Sequence, residues 1–223
     1  MKHVVIKNKA LEKLEHNRAE AFMMDALIDN LVDQKLMATG VKRKRKSAQV
    51  EEYSLSHKDL IVRQEIMAWS IGGQPIPLLT VSSPSQDKKR KWIVITARVH
   101  AGETVGSHKM EGVIRFLTSD TREAIYLRRK YEFKLIPMLN PDGVQVGNFR
   151  TNFAGVDLNR RFQKPTAMIH PSVHALRRML TQKKAKGRTL IYCDLHGHSK
   201  KLNSFVYGCN TAANGGFSSW TKV

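Results

Sequence analysis

The chain has 223 residues, 41% of them hydrophobic, and its 38 Lys and Arg outnumber its 19 Asp and Glu, which gives a formal net charge of +19. This length and hydrophobic fraction exclude wholesale disorder and suffice for one large domain, or for a small module followed by a domain. No run approaches about eighteen apolar residues and the N-terminus is highly charged, so the sequence predicts neither a membrane span nor a secretory signal.

The first sixty residues predict a helical and linker segment. Residues 9–37 carry apolar side chains every three or four positions, the period of an amphipathic helix. Residues 39–58 are polar, include the basic run KRKRK (42–46), and predict a linker or long loop. We interpret this run and DKKRK (87–91) as solvated. The alternative for either is a nuclear import signal or a nucleic-acid patch.

From residue 60 onward the pattern predicts an α/β fold. Strand-like runs, rich in apolar and β-branched residues, occupy residues 60–71, 76–83, 91–99, 131–140 and 189–195. Helical periodicity occupies residues 104–119 and 172–184, and PDG (141–143) predicts a turn. Strands that alternate with helices indicate a mixed, largely parallel sheet flanked by helices.

Charged side chains follow two of these strands. His100 and Glu103 come after the run 91–99, and His196 comes after the run 189–195. The carboxyl ends of parallel strands meet at one edge of a sheet, where functional groups gather. Two imidazoles and one carboxylate form a catalytic zinc site with a fourth position for water. The alternative is that polar residues occur in these loops by chance.

A second group of candidates lies between those strands. In AGVDLNRRF (154–162), Asp157 can orient a metal-bound histidine through its other ring nitrogen, and Asn159 with Arg160 can bind a carboxylate. Arg150 can polarise a carbonyl or stabilise an oxyanion. The alternative is that these residues are surface arginines and helix caps.

Four segments, in chain order, are together more specific: TARVHAGET, IPMLNPDGVQVGNFR, AGVDLNRRF and IYCDLHGHS. They resemble the cytosolic carboxypeptidase branch of the zinc carboxypeptidase (M14) family, over about residues 75–209. The resemblance implies one Zn²⁺ per chain and removal of C-terminal residues, notably glutamates, from acidic protein tails such as that of tubulin. From the pattern and the resemblance together, we divide the chain into an N-terminal helical and linker segment (1–60), a strand-rich segment that leads into the catalytic domain (61–90) and a partial zinc carboxypeptidase domain (91–223).

The resemblance also implies roles around the metal. His100, Glu103 and His196 are similar to the three zinc ligands of the family. Asp157 is similar to the partner of a zinc-bound histidine. His198 belongs to the HGHS signature without being a ligand.

For the substrate, the resemblance implies a catalytic Arg150 that polarises the scissile carbonyl and stabilises the oxyanion. It implies that Asn159 and Arg160 bind the terminal carboxylate, which restricts cleavage to the last peptide bond. An acidic substrate suits the charge of +19.

The sequence departs from the family pattern at two places. Ala101 stands where the branch has proline. The general-base glutamate of the family lies downstream of the last zinc ligand, but residues 195–223 contain neither Asp nor Glu. We expect a fragment or truncated gene product, with an open sheet edge. The alternatives are a pseudo-enzyme that binds without cutting, or another base such as Glu111 or Asp142.

Two rival functions remain from the sequence. One is a non-catalytic binding module for acidic protein tails, which would need Asn159 and Arg160. The other is a nucleic-acid-binding protein, for which charge is the only support because no reading motif is recognisable. Two cysteines are too few for a disulfide framework in a chain of this length. We therefore expect a cytoplasmic protein, with cytoskeletal association through tubulin and nuclear entry through residues 42–46 as further options.

Overall fold

The structure is a computed structural model that describes residues 53–57, 59–85, 87, 89–182, 187–201, 203–208 and 221–222. The helix predicted over residues 9–37 lies outside this part. The strands are β1 (Tyr53–His57), β2 (Leu60–Trp69), β3 (Pro75–Ser82), β4 (Lys91–Ala97), β5 (Tyr131–Ile136), β6 (Thr189–Leu195), β7 (Tyr207–Gly208) and β8 (Thr221–Lys222). The helices are α1 (Val105–Thr118), α2 (Arg122–Lys130), α3 (Pro141–Val146) and α4 (Pro171–Thr181), with a short 3-10 helix at Leu158–Arg160.

Six strands form one mixed sheet in the order β1-β2-β3-β5-β4-β6. The pairs β1–β2, β2–β3 and β3–β5 are antiparallel, whereas β4 pairs with both β5 and β6 in parallel. The predicted mixed α/β fold is confirmed, and its parallel part consists of β4, β5 and β6. Strands β7 and β8 form a separate antiparallel pair.

The sheet is buried on both faces because alternate residues of its central strands face opposite sides. On one side, Ile93 and Ile95 of β4 pack with a core that includes Met110 and Ile114 of α1. On the other side, the core contains Trp92 and Val94 of β4 and the residues of α4 that face the sheet. This sandwich fixes the ends of β4 and β6, which determine where the candidate side chains lie.

The structure corrects the prediction for residues 39–58 in one respect. Tyr53–His57 are not linker but strand β1, which pairs antiparallel with β2. The polar sequence YSLSH did not predict this strand, because a strand at the edge of a sheet needs no continuous apolar run.

The strand predicted over 131–140 is shorter than expected, and the turn predicted at PDG is instead the start of α3. Asn140 caps this helix, since its side chain accepts a hydrogen bond from the backbone N–H of Gly143. Pro141 occupies the first turn, where a missing N–H costs nothing, and Gly147 ends the helix with a left-handed φ of 78°.

Helix α2 was not predicted, because a buried arginine breaks its apolar pattern. Arg128 is 1% exposed and donates to the carbonyl oxygens of Leu117 and Ser119, at 2.7 Å each, and of Asp59 at 3.1 Å. Three carbonyl oxygens thus offset the cost of burying this arginine, whereas the sequence pattern alone predicts a surface residue at this position.

In the described part of the chain, β6 is hydrogen-bonded to a sheet neighbour on one side only. Leu190 and Ile191 on this strand are 52% and 45% exposed. Among the described helices, none has both the length and the apolar character that crossing a membrane requires.

Candidate metal centre

Buried hydrogen bonds hold the loop between β4 and α1 in place. Arg98 is 1% exposed, adopts a left-handed φ of 57°, and donates to the carbonyl of Ala101 (2.8 Å) and to Ser107 Oγ (2.7 Å). The N–H of Gly102 donates to the carbonyl of Phe149 at 2.7 Å. A Cβ at position 102 would lie 2.8 Å from the backbone oxygen of Phe149 and 2.7 Å from its Cδ2, so a larger residue would have to displace the backbone there. These contacts fix the loop.

This loop and the end of β6 bring His100, Glu103 and His196 together. The register pairs Ala97 of β4 with Leu195 of β6, so the two chain segments leave the sheet side by side. Glu103 Oε1 lies 2.7 Å from His100 Nδ1, and Glu103 Oε2 lies 3.0 Å from His196 Nδ1. One ligand atom from each of the three residues lies within 4.8 Å of the others.

A second carboxylate lies behind each imidazole. His100 Nε2 is 3.2 Å from Asp157 Oδ1, and His196 Nε2 is 2.8 Å from Asp194 Oδ2. The other oxygen of Asp194 accepts a hydrogen bond from Thr96 Oγ1 at 2.7 Å. We call His100, Glu103, His196, Asp157 and Asp194 the metal centre.

Sequence reasoning missed Asp194, which is 2% exposed. A signal was present, because Asp194 precedes His196 by two residues and residues at i and i+2 of a strand face the same side. An acidic residue inside an otherwise apolar strand needs a partner, and Thr96, its register neighbour on β4, supplies one.

Hydrogen bonds determine the charge of the metal centre. Burial alone would raise the pKa of Glu103, but hydrogen bonds from His100, His196 and the N–H of Gly197 hold it well below its usual range. Burial opposes protonation of His196, yet its hydrogen bonds to Asp194 and Glu103 raise its pKa to about 9. The carboxylates therefore draw positive charge into the centre, as protons on the imidazoles or as a divalent cation.

Arg150 joins the centre through Asp157. Its Nε donates to Asp157 Oδ2 at 2.7 Å, and the backbone N–H of Asn159 donates to Asp157 Oδ1 at 2.9 Å. Burial would raise the pKa of Asp157, but these two contacts lower it. Arg160 follows in the same 3-10 helix and is exposed, with no side-chain hydrogen bond to any residue that the structure describes.

The two carboxylates considered as alternative bases, Asp142 and Glu111, form contacts with residues outside the centre. Asp142 is 3% exposed and accepts hydrogen bonds from Ser70 Oγ (2.5 Å) and the N–H of Gly72 (3.1 Å). Glu111 forms an ion pair with Arg115 one turn later on α1, at 2.9 Å. Both carboxylates are therefore engaged in structural contacts.

His198 is also outside the centre. Its Nδ1 accepts the backbone N–H groups of Lys200 (3.1 Å) and Lys201 (2.8 Å), and its ring meets that of Phe205 edge to face. Through these contacts the imidazole of His198 stabilises the turn after β6.

Residues 49–219 match the Peptidase_M14 family model, described as zinc carboxypeptidase. The chain is 43% identical over 167 residues to cytosolic carboxypeptidase 1 of Danio rerio, covering 70% of this chain and 14% of that protein. It is 46% identical over 146 residues to cytosolic carboxypeptidase 2 of Xenopus tropicalis, covering 64% of this chain and 15% of that protein.

A solved structure has a similar fold. The metallo-carboxypeptidase from Pseudomonas aeruginosa, in complex with (2-guanidinoethylmercapto)succinic acid, is 28% identical to the chain with a TM-score of 0.59. The match covers 85% of this chain and 43% of that one. The chain thus spans less than half of the protein of known structure, and a smaller share of the two cytosolic relatives.

Proposed function

The chain belongs to the zinc carboxypeptidase family, Peptidase_M14, and from this premise we propose that it carries the zinc-binding part of a metallocarboxypeptidase. The family predicted from the four sequence segments is thereby confirmed, and Zn²⁺ is its cofactor. The proposed reaction is hydrolysis of the last peptide bond of an acidic protein tail, with release of glutamate. The C-terminal tail of tubulin is an example of such a substrate. We propose a cytoplasmic location, in keeping with the names of the cytosolic relatives.

The observation that carries the proposal is the convergence of His100, Glu103 and His196 at the ends of two parallel strands. Two nitrogen donors and one carboxylate fit Zn²⁺ and leave a position for water. When bound, zinc lowers the pKa of such a water and polarises a substrate carbonyl. We assign the three residues as its ligands.

Asp157 and Asp194 are proposed to orient the two imidazoles. Each carboxylate lies against the Nε2 of one ring while the Nδ1 of the same ring faces Glu103. A carboxylate behind a ligating histidine fixes the ring and its tautomer, and makes the facing nitrogen a better donor. Each of the two proposed histidine ligands therefore has its own carboxylate to orient the ring.

Arg150, Asn159 and Arg160 are proposed to bind the substrate. Asp157 holds Arg150 through Nε, and the two Nη atoms make no hydrogen bond to a described residue. These atoms can donate to the oxygen of the scissile carbonyl as its negative charge develops. Asn159 and Arg160 lie at the 3-10 helix that Asp157 caps, and are proposed to bind the terminal carboxylate.

A non-catalytic binding module for acidic tails is the second candidate function. It is favoured by the contacts of Glu111 and Asp142, the two alternative bases considered from the sequence, because both carboxylates are already engaged by other residues. Such a module would retain the zinc ligands and the substrate-binding pair and would lack cleavage.

A trimming assay separates the two functions. The zinc-loaded chain is incubated with a peptide that ends in a run of glutamates, and C-terminal loss is followed by mass spectrometry. A full-length cytosolic carboxypeptidase is the positive control and His196→Ala is the blank. Trimming above the blank supports the carboxypeptidase. Peptide binding without trimming, with zinc bound stoichiometrically, supports the binding module, and absence of both zinc and peptide binding refutes both.

A further inference from the structure

The positive charge of the chain is concentrated in one stretch. Residues 158–193 contain nine Lys and Arg and no Asp or Glu, so they carry nearly half of the net charge of +19. The described residues of this stretch form the 3-10 helix, the loop after it, α4 and most of β6. Charge of one sign without compensation destabilises the compact chain, and a ligand of opposite charge relieves that cost.

Part of this charge lines a cleft between the loop 163–165 and helix α4. We call this feature the α4 cleft; its volume is about 380 Å³. Its lining residues are polar or basic, apart from one proline: Gln163, Lys164, Pro165, His174, Arg177, Arg178 and Thr181. The helix residues among them recur at three and four positions, so they share one face of α4. Val173 and Leu176, on the opposite face, are fully buried in the core.

The α4 cleft is anchored to the fold. Arg177 Nη1 donates to the carbonyl oxygens of Phe162, at 2.8 Å, and of Gln163, which ties the loop to the helix. The ring of Phe162 meets that of Tyr192 on β6 edge to face, with centroids 6.3 Å apart. The wall formed by the loop therefore has a defined position relative to the helix.

The remaining basic groups of the α4 cleft have no protein partner in the part of the chain that the structure describes. Arg177 uses its guanidinium to hold the loop, but the side chains of Lys164, His174 and Arg178 make no hydrogen bond or ion pair there. Lys164 and Arg178 are exposed, and His174 is half-buried. The cleft thus presents donors and positive charge to an outside ligand.

We propose that the α4 cleft is a second binding site, which takes the carboxylate side chains of an acidic peptide segment. This inference rests on the proposed function and extends it, because it gives an acidic substrate a contact separate from the metal centre. Lys164 follows Arg160 by four residues, so their Cα atoms lie within roughly 14 Å of each other. A tail several residues long, or a neighbouring acidic segment of the same protein, is long enough to reach both.

Nucleic acid fits the cleft less well than an acidic peptide. Its lining contains no Phe, Tyr or Trp on which a base can stack. Its volume is that of a few side chains, and its walls are one helix face and one short loop. Isolated carboxylates on a flexible chain match this spacing of cations better than a continuous phosphate backbone does.

The test uses a fluorescent, Glu-rich peptide of about ten residues whose C-terminus is amidated. Amidation removes the terminal carboxylate that Asn159 and Arg160 are proposed to bind, so the measured affinity no longer includes that contact. Comparison of the variants then assigns the remaining affinity to the cleft or to another part of the chain. Fluorescence anisotropy with the full 223-residue chain gives the dissociation constant. We expect Lys164→Gln/Arg178→Gln to weaken binding about tenfold, since two charge-assisted contacts are lost.

The matched control is Arg63→Gln/Arg122→Gln, which removes two exposed cations outside the cleft. We expect this variant to bind within about twofold of the wild type. Equal weakening in both variants would show that net charge alone attracts the peptide, and an unchanged affinity in both would remove the site; either result overturns the inference. Displacement of the peptide by duplex DNA at lower concentration than by unlabelled peptide would overturn the assigned ligand class.

The same peptide separates this inference from the proposed function. If His196→Ala abolishes zinc binding yet leaves binding of the amidated peptide intact, the cleft acts independently of the metal centre. If the wild type binds zinc but not the amidated peptide, the cleft inference fails while the proposed function stands.

Discussion

The metal centre and the α4 cleft both concentrate charge, but they arrange it in opposite ways. In the metal centre, each imidazole and carboxylate has a partner at 3.2 Å or less. In the α4 cleft, Lys164, His174 and Arg178 have no side-chain partner among the described residues. The two regions are connected through the chain, because Asp157 of the centre and Lys164 of the cleft flank the same 3-10 helix.

This difference indicates two kinds of recognition. A closed network of short contacts selects its ligand by geometry, and burial protects it from screening. Unpaired cations on a surface select their ligand by charge, over a range of about 10 Å that salt reduces. The metal centre should therefore respond to the loss of single atoms, and the α4 cleft to ionic strength.

The largest effect is expected from loss of a proposed zinc ligand. His196→Ala or His100→Ala should lower zinc affinity about a thousandfold or more, because two protein ligands remain. Chelator competition with metal analysis measures the affinity. His198→Ala is the matched control, since that imidazole shapes a turn outside the centre. Stoichiometric zinc in both ligand variants would refute the assignment.

The carboxylates behind the histidines come next. Asp157→Asn and Asp194→Asn should each lower zinc affinity about 10- to 100-fold, because the rings lose their fixed orientation. Cobalt substitution adds a spectroscopic readout, in which altered visible bands report distorted ligand geometry. Asp87→Asn, an exposed residue that caps its own turn, should leave both unchanged. A variant that lowers stability but leaves affinity and spectrum intact would reduce that aspartate to a structural role.

The loop beneath the centre provides a test of stability. Gly102→Ala should destabilise the protein by about 2 kcal/mol, because its Cβ would overlap Phe149. Gly112→Ala, in open space on α1, should stabilise it by up to about 1 kcal/mol. Urea unfolding measures both. Equal effects of the two substitutions would mean that Phe149 moves aside and that the loop is less rigid than its contacts indicate.

Ionic strength separates the two regions directly. Raising NaCl from about 0.05 M to about 0.5 M should weaken binding of the amidated acidic peptide about tenfold and change zinc affinity less than about threefold. Both affinities are measured on the same wild-type protein in the same buffers. Peptide binding that is insensitive to salt would contradict a charge-selected cleft, and strongly salt-dependent zinc binding would contradict a closed metal centre.

The parallel strands and the convergence of His100, Glu103 and His196 could be predicted from the sequence, because each depends on local pattern. The runs 91–99 and 189–195 are largely apolar and rich in β-branched residues, and the candidate ligands His100 and His196 directly follow them. The role of Asp194 could not be predicted from local pattern, because its partner, Thr96, lies on another strand. Helix α2 was hidden because its buried Arg128 is satisfied by carbonyls from other elements. In each case tertiary contacts, which local pattern does not encode, decide the outcome.

The smallest effect concerns His170, which precedes α4 and thereby positions the cleft. It is 7% exposed, and its Nδ1 accepts the backbone N–H of Thr166 at 3.0 Å. His170→Ala should lose about 1 kcal/mol of stability at pH 7.5, since that N–H loses its acceptor. Burial, reinforced by the charge of Arg161, lowers the pKa of His170.

Because the pKa of His170 is lowered in the folded chain, its contribution to stability depends on pH in a defined direction. The unfolded chain takes up a proton at His170 near its ordinary pKa of about 6.5, whereas the folded chain resists protonation to lower pH. The contribution of His170 to stability is therefore present above that pH and declines as pH falls through it. Urea unfolding of wild type and His170→Ala at pH 7.5 and 5.5 should give a smaller difference at the lower pH. A difference that grows on acidification would mean that the folded chain stabilises His170 as the imidazolium, and would contradict the lowered pKa.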